Sequence, residues 1–286
     1  MTKPSQQLSY ERRVDRVADY IHDHLDEDVS LDRLAEIACL SAYHWHRIYT
    51  AMRGETIAAT VKRLRLLRAA DRLANSDMPI KTIAERAGYG AIESFGRAFK
   101  EAYDKPPADY RAHGSHAAFR TAIAVNDAAG FSVTIEDLPQ TRCASIAHVG
   151  PYIQIDRAIG RLFGALAAQG LLDQSVRMIG LFLDDPDATP AAALRSKACS
   201  PTPAEVALAR PIEETILRGG PYARLRYKGP YADMKSAYRW LLGVWLPNSG
   251  YEAADAPIFE AYLNSPPETP PNDLVTDIHL PLEAAS

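Results

Sequence analysis

Hydrophobic positions in the first third of the chain recur at three- and four-residue steps, the period of amphipathic helices. Val14, Val17, Ala18, Ile21 and Leu25 form one apolar stripe from Tyr10 onward, closed by the acidic run Asp26-Glu27-Asp28. Ser30 is placed to cap a second helix with Leu31, Leu34, Ala35 and Ala38 inward; Ser41 can cap a third, which Gly54 stops. Ile57 to Leu73 reads as a long helix with Val61, Leu64, Leu67 and Ala70 inward, spanning roughly 25 Å. Pro79 suits the first turn of a fifth helix, and Phe95, Ala98, Phe99 and Ala102 anchor a sixth. After about residue 130 the period shortens to that of strands, with candidates at Phe131–Leu138, Met178–Leu183, Ala209–Leu217, Ile258–Asn264 and Val275–Leu280.

Each of these two regions is written twice. In the first, Leu34-Ala35-Glu36 matches Ile83-Ala84-Glu85 at an offset of 49, and Arg47/Tyr49 matches Arg97/Phe99 at 50. Each copy is a short helix, a tight turn (Cys39-Leu40; Gly88-Tyr89) and a second helix that begins with polar residues. That is the geometry of a helix-turn-helix, whose second helix enters a major groove. The long helix between the copies would set two reading helices into successive grooves, roughly 34 Å apart on one face of the duplex. A single chain would then read an asymmetric site in double-stranded promoter DNA. In the second region, Arg142–Tyr152 and Pro221–Tyr231 align at an offset of 79, each an alternating strand that turns at Gly-Pro-Tyr into an amphipathic helix and then a further strand.

The expected architecture is therefore multi-domain. It has an all-α double helix-turn-helix domain over residues 1–111 and a polar, Ala-rich linker over 112–130, in which Phe119–Val125 is a strand candidate. An α+β domain over 131–286 follows, built from two pseudo-twofold-related strand-helix-strand repeats. Such a junction of repeats leaves a groove suited to a ligand.

The net charge of −4 looks unfavourable for a DNA reader until it is divided: residues 1–116 carry 18 basic against 17 acidic residues, the remainder 14 against 19. Arg47, Arg53, Lys62, Arg63, Arg65, Arg68 and Arg72 crowd the stretch 41–72 against Glu55 and Asp71, the footprint of phosphate contact or of a solvated helix face. No apolar run approaches the roughly 18 residues of a membrane span, and the first residues lack the apolar core of a signal peptide. Cys39, Cys143 and Cys199 are odd in number and far apart, as expected of reduced thiols in a cytoplasmic protein. The histidine pairs His22/His24, His44/His46 and His113/His116 lack a completing ligand set, so neither a metal nor a cofactor is expected.

The Leu31–Arg111 stretch resembles the AraC/XylS family DNA-binding domain, through Ile83-Ala-Glu-Arg-Ala-Gly-Tyr89, Phe95-Gly-Arg-Ala-Phe-Lys100 and the closing Pro-Pro-Ala-Asp-Tyr-Arg111. By position, the first reading helix presents Tyr43, His44, His46 and Arg47, and the second Ile92, Glu93 and Arg97. Arg47 and Arg97 suit guanine or phosphate, His46 a purine edge, Ile92 a thymine methyl and Glu93 cytosine N4. Alternatively, Arg97 pairs with an acidic neighbour and Glu93 fixes a basic side chain, while Trp45, Ile48, Tyr49, Phe95 and Phe99 read as core. The sequence has Asp104 and Pro106 where the family commonly has Gly and Ser; Asp tolerates the left-handed conformation such a turn requires.

The second region resembles the gyrase-inhibitor-like (GyrI-like) effector-binding domain of multidrug-sensing regulators. The resemblance is carried by the two Gly-Pro-Tyr elements, Asp184-Asp185-Pro186, Ala198-Cys199 and Phe259-Glu-Ala-Tyr-Leu-Asn264 followed by Pro281-Leu282. It implies an acidic residue, Glu260, at the floor of an aromatic-lined pocket for cationic or amphipathic compounds. Tyr152, Tyr231, Phe182, Trp240, Trp245 and Tyr262 are the candidate walls, each with core packing as the alternative; Arg226 or Lys228 is the alternative partner for Glu260.

Three functions follow. The first is a one-component transcriptional regulator switched by a small-molecule effector. The second is a hydrolase with Glu260 as general base, for which no second acid or nucleophile is legible. The third is an interaction module touching gyrase or RNA polymerase.

Overall fold

The computed structural model describes residues 3–27, 29–172 and 176–284; the side chains of residues 3–5, Ala42 and Tyr43 are not among those described. The first half is helical: α1 (Lys3–Asp23), α2 (Leu31–Ala38), α3 (Ala42–Arg53), α4 (Ile57–Asn75), α5 (Ile80–Arg86), α6 (Ile92–Tyr103), α7 (Pro107–His113) and α8 (Ser115–Ala124). The hydroxyls of Ser30, Ser41 and Thr56 accept hydrogen bonds from the N–H groups of Arg33, His44 and Ala59, so the starts of α2, α3 and α4 are set by their caps. Gly54 (φ 72°) and Asp104 (φ 57°) end α3 and α6 in the left-handed conformation.

Two cores form on one rod. Val14, Val17, Ile21 and Leu25 pack with Leu34, Trp45, Tyr49 and Leu64 around the first helix-turn-helix. Leu66, Ala70 and Leu73 pack with Ile83, Phe95, Phe99 and Tyr103 around the second. Both draw on α4, which thereby fixes the spacing of the reading helices.

The stretch read as a linker is largely helix, and no strand forms at 119–125. Phe119, Ala122 and Ile123, at i, i+3 and i+4, turn one face of α8 into the core of the C-terminal domain. Phe119 stacks on Phe131 with ring centroids 3.8 Å apart, and both rings meet Trp240.

The C-terminal half continues through β1 (Val133–Leu138), β2 (Thr141–Val149), α9 (Asp156–Ala168), β3 (Met178–Phe182), β4 (Arg195–Pro201), β5 (Glu213–Leu217), β6 (Gly220–Lys228), α10 (Met234–Trp240), β7 (Ile258–Tyr262) and β8 (Val275–Pro281). Each repeat thus has two strands before its helix and two after, with the candidates at 131–138, 209–217 and 275–280 falling on β1, β5 and β8. A 3-10 turn precedes each helix, at Tyr152–Gln154 and Tyr231–Asp233. Gly150 (φ 137°) and Gly229 (φ 147°) adopt a conformation closed to other residues just before the two Gly-Pro turns.

All eight strands form one antiparallel sheet in the order β1-β6-β8-β7-β3-β4-β2-β5. The first strand of each repeat pairs with the second strand of the other, β1 with β6 and β5 with β2. The symmetry axis falls at the central β3–β7 pair. α9 covers one half of one face of the sheet through Ala158, Leu162 and Ala165, while α10 and α8 cover the other half of the same face through Ala237, Trp240, Leu241 and Phe119. The gap between α9 and α10, above β3 and β7, is left open as a cleft.

The helical domain sits over this cleft. α1 runs along α9, and α4 crosses the Tyr231–Asp233 turn, whose Ala232 enters the second helix-turn-helix core. Arg157 pairs with Asp19 (3.0 Å) and Asp23 (3.1 Å), Arg161 pairs with Asp19, and His22 Nε2 lies 3.3 Å from Asp156. On the other repeat, fully buried Asp233 accepts hydrogen bonds from Tyr110 Oη (2.6 Å), Ser115 Oγ and the N–H of His116.

Candidate effector cleft and DNA-reading helices

At the floor of the cleft β3 and β7 pair so that Glu260 stands opposite Gly180. Glu260 is only 3% exposed. Tyr238 Oη donates to its carboxylate at 2.7 Å, and the Tyr262 hydroxyl is a second donor. The cations proposed as its partners are engaged elsewhere, Arg226 with Asp277 (2.8 Å) and Lys228 with Asp273 (2.9 Å). Burial without a cation pushes the Glu260 carboxyl up to about 7, against the lowering effect of the two phenols. Burial, and after it the Glu260 charge, push the Tyr231, Tyr238 and Tyr262 hydroxyls up, so all three stay neutral.

Four of the aromatics named from sequence border the same cavity. Tyr231 meets Tyr262 edge-on (5.5 Å), and Tyr152 meets Phe182 likewise (4.8 Å). The Tyr152 hydroxyl is bonded to the backbone at Asp184, which fixes that ring as wall rather than as ligand donor. Trp240 and Trp245 are not brought to the cleft. Trp240 is fully buried with its indole N–H on the Asp127 carbonyl (2.8 Å), and Trp245 packs at the edge of the same core beside Tyr251.

Sequence reading passed over Tyr238, although its signal is simple. It lies on α10, seven residues after Tyr231 of the preceding turn, and both border the cavity, whereas Trp240, two residues further on, faces the core. The cavity is about 2300 Å³ and continuous from Glu260 to the helical domain above it, where α1, α3, α4 and α6 form its roof.

The reading helices carry their predicted side chains outward. On α3, His44 and Arg47 are exposed and His46 is half-buried; the side chain of Tyr43 lies outside the described residues. On α6, Glu93 and Arg97 are exposed and Ile92 is 44% exposed. Arg97 donates to Ser94 Oγ (3.1 Å) rather than to an acidic neighbour. Trp45, Tyr49, Phe95 and Phe99 are core.

The basic cluster of 41–72 is largely internal wiring. Arg53 pairs with Asp15 (2.9 Å), Arg63 with Glu55 (2.6 Å), Arg68 with Asp26 (2.8 Å) and Lys62 with Glu101 (2.9 Å). Arg65 donates to the carbonyls of Leu25 (2.8 Å) and Glu27 (2.6 Å), tying down the loop after α1. Among the described residues, no group of three or more His, Cys, Asp or Glu side chains is placed to hold a metal ion.

Paired helix-turn-helix units on one rod, docked over an acid-floored cleft of duplicated repeats, define a DNA-binding domain joined to a small-molecule binding domain. The chain belongs to the family described as the GyrI-like small molecule binding domain, whose profile matches residues 131–283; a helix-turn-helix domain profile, here AraC-type, matches residues 34–113. The regulatory protein SoxS of Salmonella typhimurium is 28% identical over 104 residues, 36% of this chain and 97% of that protein. The C-terminal domain of AraT, a response regulator from Geobacillus stearothermophilus, is 32% identical over 35% of this chain and 83% of that one, with a TM-score of 0.33. A hydrolase from Listeria innocua aligns with 53% of this chain and 92% of its own at 13% identity and a TM-score of 0.40.

Proposed function

We propose that the protein is a one-component transcriptional regulator. Its N-terminal half reads an asymmetric promoter site through His44, His46 and Arg47 on α3 and Ile92, Glu93 and Arg97 on α6. Its C-terminal half, after residue 130, binds an amphipathic cation whose charge rests on Glu260. RNA polymerase is the partner such a regulator would address at a promoter.

The observation that carries this reading is Glu260 itself, a buried carboxylate held by phenols and, among the described residues, without a cation partner. An ionised carboxylate in that setting costs several kcal/mol. A lipophilic cation supplies the missing charge, and Tyr231, Tyr238 and Tyr262 present electron-rich faces to it.

The same raised carboxyl is what a general base requires, so a hydrolase is the competing reading. Cys143 and Cys199 offer no nucleophile for it: both are buried, with thiols pushed up to about 11 and 12. Glu260→Gln separates the two readings. In a regulator this variant still shifts its own upstream DNA in a gel but no longer responds to tetraphenylphosphonium. Turnover of an ester panel by the wild type, lost in the variant, would favour the enzyme, and no DNA binding at low salt would reject the regulator.

A further inference from the structure

The roof of the cavity belongs to the DNA-binding domain. Arg63, Leu67, Asp71 and Asn75 fall four residues apart on α4 and all border the cavity, so they form one stripe facing the C-terminal domain. The two ends of the stripe are fastened. Asn75 donates to the Ala232 carbonyl (2.9 Å) in the second repeat, and Arg63, paired with Glu55, lies in the field of Asp156 from the first.

Between these ends, Leu67 presents a half-buried apolar surface. Asp71 accepts one hydrogen bond from Asn75 (2.9 Å), and burial pushes its carboxyl up against the lowering fields of Arg72 and of Lys235, which itself pairs with Asp187 (2.6 Å). Across the cavity stand Lys235 and Tyr238, adjacent along α10, and Tyr238 leads directly to Glu260. Ligand pockets commonly run to about 300–1,000 Å³ and favour the junctions between domains. This cavity, at about 2300 Å³, is larger and is lined by residues from the sheet to α4.

We propose that the effector site is composite: α4 of the DNA-binding domain forms its second wall, with Leu67 packing on the ligand's apolar body and Asp71 receiving a second cationic group. This rests on the reading of Glu260 as the cation site and adds the ligand class, an elongated amphipathic molecule with charge at both ends. The helix that spaces the two reading helices is then itself a ligand contact. Effector binding and DNA binding share one element, and their coupling needs no intermediary.

The test is calorimetric titration of the full chain with tetraphenylphosphonium, a compact monocation, and dequalinium, a bis-quinolinium with a long methylene spacer. Glu260→Gln weakens both probes at least tenfold. Leu67→Trp, which fills the space, weakens both by about tenfold or more, and Leu67→Ala, which removes the contact, weakens dequalinium about fivefold. Asp71→Asn weakens dequalinium about tenfold, about 1.4 kcal/mol, and leaves tetraphenylphosphonium unchanged. If Leu67→Trp does not fold, Leu67→Ala and Asp71→Asn decide.

Wild-type affinities in the Leu67 and Asp71 variants, with binding lost in Glu260→Gln, would overturn the composite site while leaving the cation site at Glu260 standing. Binding of neither probe by the wild type would overturn both.

Discussion

Gly180 and Glu260 are equivalent positions of the two repeats, and they face each other across the β3–β7 pair, so the pseudo-twofold axis passes between them. Two carboxylates there would have to share a proton. With glycine on one side, a single acid occupies the axis. The same asymmetry surrounds it: Tyr238, Glu260 and Tyr262 in the second repeat correspond to Ile159, Gly180 and Phe182 in the first. One repeat supplies the polar half of the cleft and the other the apolar half.

The glycine is also a steric requirement. A Cβ on Gly180 would lie 2.7 Å from Tyr262 Oη and 3.1 Å from the Phe182 ring. Gly180→Ala is expected to displace Tyr262 from Glu260 and to cost about 1–3 kcal/mol, as overpacking does, despite the gain in strand propensity. Urea denaturation measures the loss, and titration with tetraphenylphosphonium should show weaker binding.

Glu260 makes stability depend on pH in a defined direction. Its carboxyl lies at about 7 when folded, against 4.5 ordinarily, so between these values the folded state holds a proton that the unfolded chain has released. The associated stability is fully present below pH 4.5 and is lost as pH rises through 7, about 3 kcal/mol in all. Half-buried Asp71, Glu11 and Asp15 push the same way and Asp277 the other, so the informative quantity is the difference from Glu260→Gln. Denaturation at pH 5 and pH 8 should give a smaller decline for the variant. Cation affinity should rise over the same interval, since the cation binds the ionised form.

Asp233 joins the two domains from within. Asp233→Ala would strand the Tyr110 hydroxyl and the His116 N–H in a site closed to water, at about 1–3 kcal/mol for each buried donor left unsatisfied. Thermal denaturation checks this, with Asp233→Asn, which keeps one acceptor oxygen, falling between the two.

Arg97 distinguishes base from phosphate contact. Arg97→Ala should weaken binding to the chain's operator by about 1–3 kcal/mol and relax preference at one base pair if the guanidinium reads guanine. If it grips phosphate, the loss is uniform across sequences and the salt slope falls by about one. Fluorescence anisotropy from 50 to 200 mM salt separates the two outcomes.

Helix positions, caps and both duplications are legible in the sequence because they are local: Ser30, Ser41 and Gly54 act within one turn, and the Gly-Pro-Tyr elements repeat in order. What the sequence leaves open is partnership. The charge of Arg53, Arg63 and Arg68 is visible, but not the carboxylates they turn to, which lie up to 42 residues away. Trp240 and Tyr238 are equally aromatic, and only their phase along α10 assigns one to the core and the other to the cleft. The walls beside the cleft carry a further repeat, Asp184 to Leu194 against Asn264 to Leu274. In it Asp184 and Asn264 each accept a hydrogen bond from the first N–H of the following strand, Arg195 and Val275. Docking of the domains has no sequence period at all, because Asp19, His22 and Asn75 meet residues more than a hundred positions away.

The crossed pairing of β1 with β6 and β5 with β2 has a consequence for how this half of the molecule comes into being. Neither repeat can close its own sheet, and every pairing of an outer strand waits for residues some 80 positions distant. Such long-range closures are slow, and during synthesis the first repeat must wait with an unsatisfied strand edge until the second has emerged. The helical domain, assembled from near neighbours, will by then have folded, so its α1 and α4 are already in place as a surface on which the later half is completed.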